Sequence, residues 1–246
     1  MESSKKFSKP LFVTGTDTGV GKTVLSLMMM QYFFANGFAP FYLKPAQTGC
    51  NGPYDADSDA RFIYRNVAAL RGADPAASVV YCFRTPKAPL ISARDEGKTI
   101  DAGHIEKIVR GKLPAANPLI IEGAGGALVP VANGVMMADL AGRLNALPVI
   151  AARAGLGTIN HTLLTVEALA ARGLKAAAIV FLDGGSEPTP AGMIEENIAA
   201  IELACGIKIA GTIGRITDFA DPGAECCDTI ARLAELIFLS EGSQQC

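Results

Sequence analysis

Leu11-Phe-Val-Thr-Gly-Thr-Asp-Thr-Gly-Val-Gly-Lys-Thr-Val24 passes from an apolar, strand-like triplet into a loop punctuated by Gly15, Gly19 and Gly21, and then into an apolar helical pattern. A strand, a glycine-rich loop and a helix opening on Lys-Thr form the context a phosphate-binding loop requires. The glycines let backbone N–H groups turn inward around phosphate oxygens, and the helix N-terminus adds partial positive charge. Gly19, Val20, Gly21, Lys22, Thr23 and Val24 are therefore expected to hold a nucleoside triphosphate. Lys22 would sit on its β- and γ-phosphates, and the Thr23 hydroxyl on Mg²⁺. The spacing is irregular: five residues rather than four separate Gly15 from Gly21, because Thr16 stands where a glycine is usual. An ordinary glycine-rich strand-to-helix turn is the alternative reading.

Outward from this loop the chain alternates. Residues 24–34 carry apolar side chains at helical spacing, closed by Asn36-Gly37. Strands are predicted at 39–43, stopped by Lys44-Pro45, and at 79–83, 119–121, 149–152, 177–182 and 207–213. Helices are predicted at 59–70, 101–109 with Asp101 as N-cap, 136–144, 159–171, 191–203 and 224–238. The polar stretch 47–58 reads as a loop and 87–98 as irregular, with room for a short helix. Apolar strands alternating with amphipathic helices predict an α/β fold, a single doubly wound, mainly parallel sheet with helices on both faces. No repeat or linker interrupts the pattern, so 1–246 is expected to be one domain, with 1–8 a disordered start.

The bulk properties narrow the function classes. Net charge is −2, from 22 basic and 24 acidic side chains with no basic stripe, so neither nucleic acid nor an anionic membrane is an expected partner. Six cysteines lack C-x-x-C spacing and only His104 and His161 accompany them, which disfavours a zinc site. The start, Met1-Glu-Ser-Ser-Lys-Lys-Phe7, has no apolar core of a secretory signal, and no apolar run reaches membrane-spanning length. Reduced thiols in a cytoplasmic enzyme are the expectation.

Ligands bind outside the carboxyl ends of strands in open parallel sheets, which singles out the residues that follow each strand. These are Lys44-Pro-Ala-Gln-Thr-Gly49, Glu122-Gly-Ala-Gly-Gly126 and Arg153-Ala-Gly-Leu-Gly-Thr-Ile-Asn-His161. Thr23, Asp59 and Glu122 suit a nucleotide-bound Mg²⁺, since that ion needs only one or two carboxylates beside phosphate and water. Asp59 could instead serve only the dipole of its helix, and Glu122 a buried ion pair. Lys44 would stabilise charge in phosphoryl transfer, or else cap its strand in solvent. Asn160 reads equally as a ligand or an N-cap, and His161 as structural.

As an ordered set these residues resemble the dethiobiotin synthetase family. The match comprises Val13-Thr-Gly-Thr-Asp-Thr-Gly-Val-Gly-Lys-Thr23, with its five-residue gap, Lys44-Pro-Ala-Gln-Thr-Gly49, Asp59, Pro89 to Ala93, Glu122-Gly-Ala-Gly-Gly126 and Gly157-Thr-Ile-Asn-His161. It covers the first two-thirds of the chain; the last third matches in element pattern but weakly in residues. The resemblance implies a P-loop NTPase fold and the conversion of 7,8-diaminononanoate, CO₂ and MgATP into dethiobiotin, ADP and phosphate. One amine captures CO₂ as a carbamate, the carbamate takes the γ-phosphoryl group, and the second amine closes the ring. It further implies Lys22, Lys44 and Thr48 in catalysis, and Thr48, Gly126 and Asn160 on the substrate. Thr23, Asp59 and Glu122 would hold the metal. Gly123, Ala124, Gly125, Leu182, Asp183, Ile213, Gly214 and Arg215 would join the nucleotide site. Family members are homodimers in which the Asn-His helix start reaches the partner's substrate.

The chain departs from the family at three places. Gly19 stands where glutamate is common, Leu182-Asp183 where Asn-Asp reads adenine, and Gly214-Arg215 where Pro-Trp is common. Leu182 cannot hydrogen-bond a base, so weak base selectivity is expected. Asp183 could accept from an exocyclic amine, which adenine and cytosine present but the O6 edge of guanine does not, so CTP is expected to be used beside ATP, with GTP poorest. Three other readings compete. A partitioning or iron-protein type nucleotide switch needs a lysine where Asp17 stands. A cobyrinic-acid-type amidating relative needs a further glutaminase domain. The third is a non-catalytic ATP-binding domain.

Overall fold

Along the central strands, alternate side chains enter different layers. Leu11 and Val13 join one apolar cluster while Phe12, between them, joins another, and the same split separates Val149 and Ala151 from Ile150 and Ala152. The two-residue period of a strand dictates this, and a strand apolar at every position needs cover on both faces. The structure, a computed structural model, describes residues 6–242. Its main sheet is built from β1 (Leu11–Gly15), β2 (Phe41–Thr48), β3 (Val79–Phe83), β4 (Leu119–Gly126), β7 (Leu147–Arg153), β8 (Ala178–Asp183) and β9 (Ile209–Gly214). A hairpin of β5 (Pro130–Ala132) and β6 (Val135–Met136) lies between β4 and β7 in the chain. The seven strands are parallel, in the order β3-β2-β4-β1-β7-β8-β9. The chain winds outward from β1 in one direction and later in the other, so the loop after β1 lies at the switch point where open sheets bind ligands.

One face is covered by α1 (Lys22–Ala35), α2 (Asp59–Asn66) and α8 (Ala224–Gly242), through Leu25, Met29, Ile63, Leu233 and Ile237 among others. The opposite face carries α3 (Pro89–Asp95), α4 (Ala102–Lys112), α5 (Met137–Arg143), α6 (Thr158–Ala170) and α7 (Ala191–Cys205). Asp101 caps α4 as expected, accepting from the Gly103 N–H at 2.8 Å.

Several boundaries move. β2 does not stop at Lys44-Pro45. It loses its pairing with β4 after Leu43 but pairs with β3 from Lys44 to Thr48, so the missing N–H of Pro45 falls where one neighbour has already gone. β4 likewise runs on through Glu122 to Gly126. The helix predicted over 59–70 ends at Asn66, with a 3₁₀ turn at Ala68–Leu70. The stretch read as irregular holds α3, opened by Pro89 at a position where its lost N–H has no partner to miss. Of the start expected to be disordered, residues 1–5 lie outside the described residues. Phe7, by contrast, is buried among Phe33, Phe38 and Phe238, with ring centroids 5.2, 5.8 and 4.7 Å away.

Candidate active site

The loop after β1 is shaped by sterics that only glycine meets at two positions. A Cβ on Gly15 would lie 2.8 Å from Val20 and 2.9 Å from the Asp17 carbonyl. Gly21 has φ +93°, and a Cβ there would meet Leu182 at 2.8 Å. So closed, the loop delivers Lys22 and Thr23 as the first residues of α1, the two that sequence reading placed on phosphate and metal. The Lys22 ammonium folds back onto the Asp17 carbonyl at 2.9 Å. Burial, followed by the neighbouring Lys44, lowers its pKa to about 8, against the opposing pull of Glu122, Asp59 and Asp17.

Thr23, Lys44, Asp59 and Glu122 form one cluster from four elements. The Thr23 hydroxyl lies 2.9 Å from Glu122 Oε1 and 3.2 Å from Asp59 Oδ1, with one proton to donate between them. Lys44 Nζ lies 2.7 Å from Glu122 Oε1, 2.7 Å from Asp59 Oδ2 and 3.2 Å from the Gly123 carbonyl. Those contacts engage all three ammonium protons. Lys44 is 4% exposed, so it is neither a solvated cap nor the end of its strand. Its burial pulls the pKa down, but Glu122 and Asp59 outweigh that and hold it above the usual lysine value. Asp59 does more than complement a helix dipole, and the buried ion pair considered for Glu122 is present.

Two residues of the cluster were given no role by sequence reading. The Tyr42 hydroxyl donates to Glu122 Oε2 at 3.0 Å, and burial and that carboxylate raise its pKa well above normal. Gln47 Oε1 accepts from the Asp59 backbone N–H at 3.2 Å, tying the start of α2 to β2. An inward-facing strand tyrosine looks like core, so nothing in the sequence marked it.

The Thr23 hydroxyl thus lies within hydrogen-bond distance of two carboxylates, those of Asp59 and Glu122. That donor set fits Mg²⁺, a hard ion that takes its remaining oxygens from phosphate and water. Among the described residues, no group of three or more His, Cys, Asp or Glu side chains is arranged to hold a metal ion.

Two cavities meet across the loop. One, of about 420 Å³, is lined by Lys22, Thr23, Lys44, Thr48, Asp59, Glu122, Ala124 and Gly125. The other, of about 670 Å³, is lined by Val20, Arg153, Leu182, Asp183, Ile213, Gly214 and Arg215. Gly19, Gly21 and Val24 border both. The expected nucleotide residues thus divide into a charged, phosphate-sized side and a more apolar, base-sized side. Gly123 lines neither but lends its carbonyl to Lys44. Both Asp183 oxygens hold Thr189, at 2.8 Å from its N–H and 2.8 Å from its hydroxyl, so Asp183 serves its own loop. Arg153, given no role from sequence, lies 3.4 Å from Asp17 on the loop's rim.

The expected substrate residues do not all converge. Gly126 lines a third cavity, of about 360 Å³, with Thr16, Asp17, Thr18, Leu128, His161 and Leu164. Thr48 lies on the phosphate side, and Asn160 lines none of the three. Asn160 is not an N-cap, because Gly157 holds that place; it is exposed in the first turn of α6.

A family model described as an AAA domain matches residues 9–222. ATP-dependent dethiobiotin synthetase BioD of Anaeromyxobacter sp. (strain Fw109-5) is 39% identical over 212 residues, covering 86% of this chain and 92% of its own. The enzyme of the same description from Rhodopseudomonas palustris (strain HaA2) is 38% identical over 221 residues, covering 89% and 90%. Among solved structures, the MinC:MinD cell division protein complex of Aquifex aeolicus superimposes with a TM-score of 0.57 at 13% identity, covering 93% of this chain and 96% of that one. The Pyrococcus furiosus cell division ATPase MinD gives 0.55 at 13% identity, covering 95% and 100%. At such identities the structural likeness establishes the α/β P-loop fold and nothing further.

Proposed function

The chain belongs to the ATP-dependent dethiobiotin synthetase family, and from that membership we propose how its residues carry the reaction. It is an ATP-dependent cyclo-ligase of biotin biosynthesis, forming dethiobiotin. The observation that carries the residue assignment is the Thr23–Lys44–Asp59–Glu122 cluster beside the phosphate loop.

In our reading, the backbone from Gly19 to Val24 cradles the triphosphate and Lys22 neutralises its outer phosphates. Thr23, Asp59 and Glu122 hold Mg²⁺, which when bound supplies charge neutralisation at the phosphates. Tyr42 fixes the Glu122 carboxylate, and Gln47 anchors the backbone of Asp59 through its N–H. Lys44 stabilises negative charge on the carbamate and on the phosphoryl group in flight; to do so it releases one of three contacts, and the Gly123 carbonyl at 3.2 Å is the longest. Thr48 donates to the carbamate or to a substrate amine. The second amine then displaces phosphate and closes the ring. Leu182 offers the base an apolar wall, in keeping with weak selectivity between ATP and CTP.

We place the substrate's remaining contacts at a dimer interface. Leu128, Leu156, Ile159 and Leu164 are exposed, at 56%, 95%, 36% and 54%, and Asn160 and His161 lie among them. Leu128, His161 and Leu164 share a cavity with residues 16–18 of the phosphate loop, so a partner covering this patch would sit close to the triphosphate. No helix of the described residues is long and apolar enough to cross a membrane. The five described cysteines are free thiols, in keeping with a reducing, cytoplasmic setting.

Phosphate release from MgATP, with and without diaminononanoate and bicarbonate, tests this reading. Release that depends on both substrates supports it. Basal release stimulated only by a protein partner would instead indicate a nucleotide switch.

A further inference from the structure

Cys50 and Cys82 lie outside the chemistry described above, yet their sulfurs are 3.3 Å apart. Cys82 belongs to β3 and pairs in register with Gln47 of β2. Cys50 follows that strand by two residues, its N–H and that of Gly49 both directed to the Phe83 carbonyl, at 3.4 and 3.0 Å. Both are free, Cys50 is buried, and Cys82 retains partial solvent exposure. Closing the bond requires the sulfurs to approach from 3.3 Å to about 2.05 Å, a movement of roughly 1.2 Å.

We propose that Cys50 and Cys82 are a reversible oxidation site, joined through thiol–disulfide exchange with a low-molecular-weight disulfide such as glutathione disulfide, and that the bond slows turnover. In the first step Cys82, the more accessible of the two, attacks the small disulfide as its thiolate. One glutathione leaves as thiolate and takes up the proton that Cys82 released. Cys50 then attacks the Cys82 sulfur of the mixed disulfide and expels the second glutathione, to which its own proton passes. Two protein thiols and one glutathione disulfide give one protein disulfide and two glutathiones. Burial, together with the hydrogen bond to Cys50, pushes the Cys82 thiol up to about 12, so the site exchanges slowly rather than acting as a fast peroxide sensor.

The consequence for the site follows from the chain path. Thr48 is two residues before Cys50, and Gln47, opposite Cys82, holds the Asp59 N–H. The turn between them is tied down: Thr48 pairs with Phe83, whose carbonyl also takes the Gly49 and Cys50 N–H groups at 3.0 and 3.4 Å. A pull on Cys50 is therefore passed to Thr48 and Gln47, and displacements near 1 Å at reacting groups cost up to about 10²-fold in rate.

The test uses a chain with Cys205→Ser, Cys226→Ala, Cys227→Ser and Cys246→Ser, which keeps only the two thiols in question. Equilibration with glutathione disulfide should yield a Cys50–Cys82 disulfide in the peptide mass map. Turnover should fall by on the order of tenfold and recover with dithiothreitol. Cys82→Ser in the wild-type background should keep its basal activity and lose the effect. Finding only glutathione adducts, or a fully formed bond with unchanged turnover, would overturn the proposal. Bond formation is read by mass alone, so it stands apart from whether the reaction is dethiobiotin synthesis.

Discussion

Lys44 commits its three ammonium protons to Asp59, Glu122 and the Gly123 carbonyl, and Glu122 is itself 1% exposed. Removing one partner of such a pair leaves an uncompensated buried charge, which costs about 3–5 kcal/mol. Lys44→Ala should therefore lose stability as well as about 10²–10³ in kcat. Adding Glu122→Gln should restore most of the stability and none of the turnover, as read by chemical unfolding beside steady-state assays. Equal unfolding of Lys44→Ala and wild type would mean the pair does not hold Glu122. Lys22 presents the opposite case, a cation whose folded pKa, about 8, lies below its ordinary value. Between there and about 10.5 the unfolded chain binds more protons, so this group makes stability rise with pH across that window; below it both states are protonated and the burial penalty is fully felt. A bound triphosphate raises the Lys22 pKa again. Nucleotide binding at pH 9 should then take up close to one proton, seen as a dependence of calorimetric heat on buffer ionisation enthalpy. Lys22→Arg should abolish that dependence, and buffer-independent heats in the wild type would contradict the assignment.

At the scale of elements, β2 is the strand whose length matters most, because its continuation past Pro45 places Lys44, Gln47 and Thr48 on a paired strand instead of a loop. Rigid elements hold a site more closely than loops do. Proline marked the end of the strand in the sequence, and only the arrangement of β3 and β4 around it reveals why pairing continues. The alternation of strands and helices was legible, since apolar periodicity is local, and so was the phosphate loop, whose glycines and Lys-Thr are contiguous. Tyr42 was not legible as a site residue, and Gln47 and Arg153 only as members of strand-end stretches with no contact of their own, because their partners lie 80, 12 and 136 positions away. Within the arm expected to be disordered, residues 6–8 were misread for the same reason: Phe7 finds its place only against α1 and α8, and Glu241 accepts from Ser8 and Lys9. Phe7→Ala should cost about 3 kcal/mol in chemical unfolding with turnover unchanged. A loss below about 0.5 kcal/mol would mean that the arm is not packed in solution.

For the whole molecule, Asn160 at the start of α6 is exposed and lines none of the three cavities around the phosphate loop of its own chain. If Asn160 acts on the partner's substrate, mixing Lys22→Ala with Asn160→Ala subunits should restore activity, since one site of each mixed dimer carries both wild-type residues. Up to about half of the wild-type activity per mixed dimer is expected. No recovery after demonstrated subunit exchange would assign Asn160 to its own subunit. The function itself is tested most directly by following carbon. With ¹³C-bicarbonate, diaminononanoate and MgATP, the purified chain should form dethiobiotin carrying the label at its ureido carbonyl, with one ADP per labelled product. ADP formation without labelled dethiobiotin, or at a rate indifferent to diaminononanoate, would contradict the account.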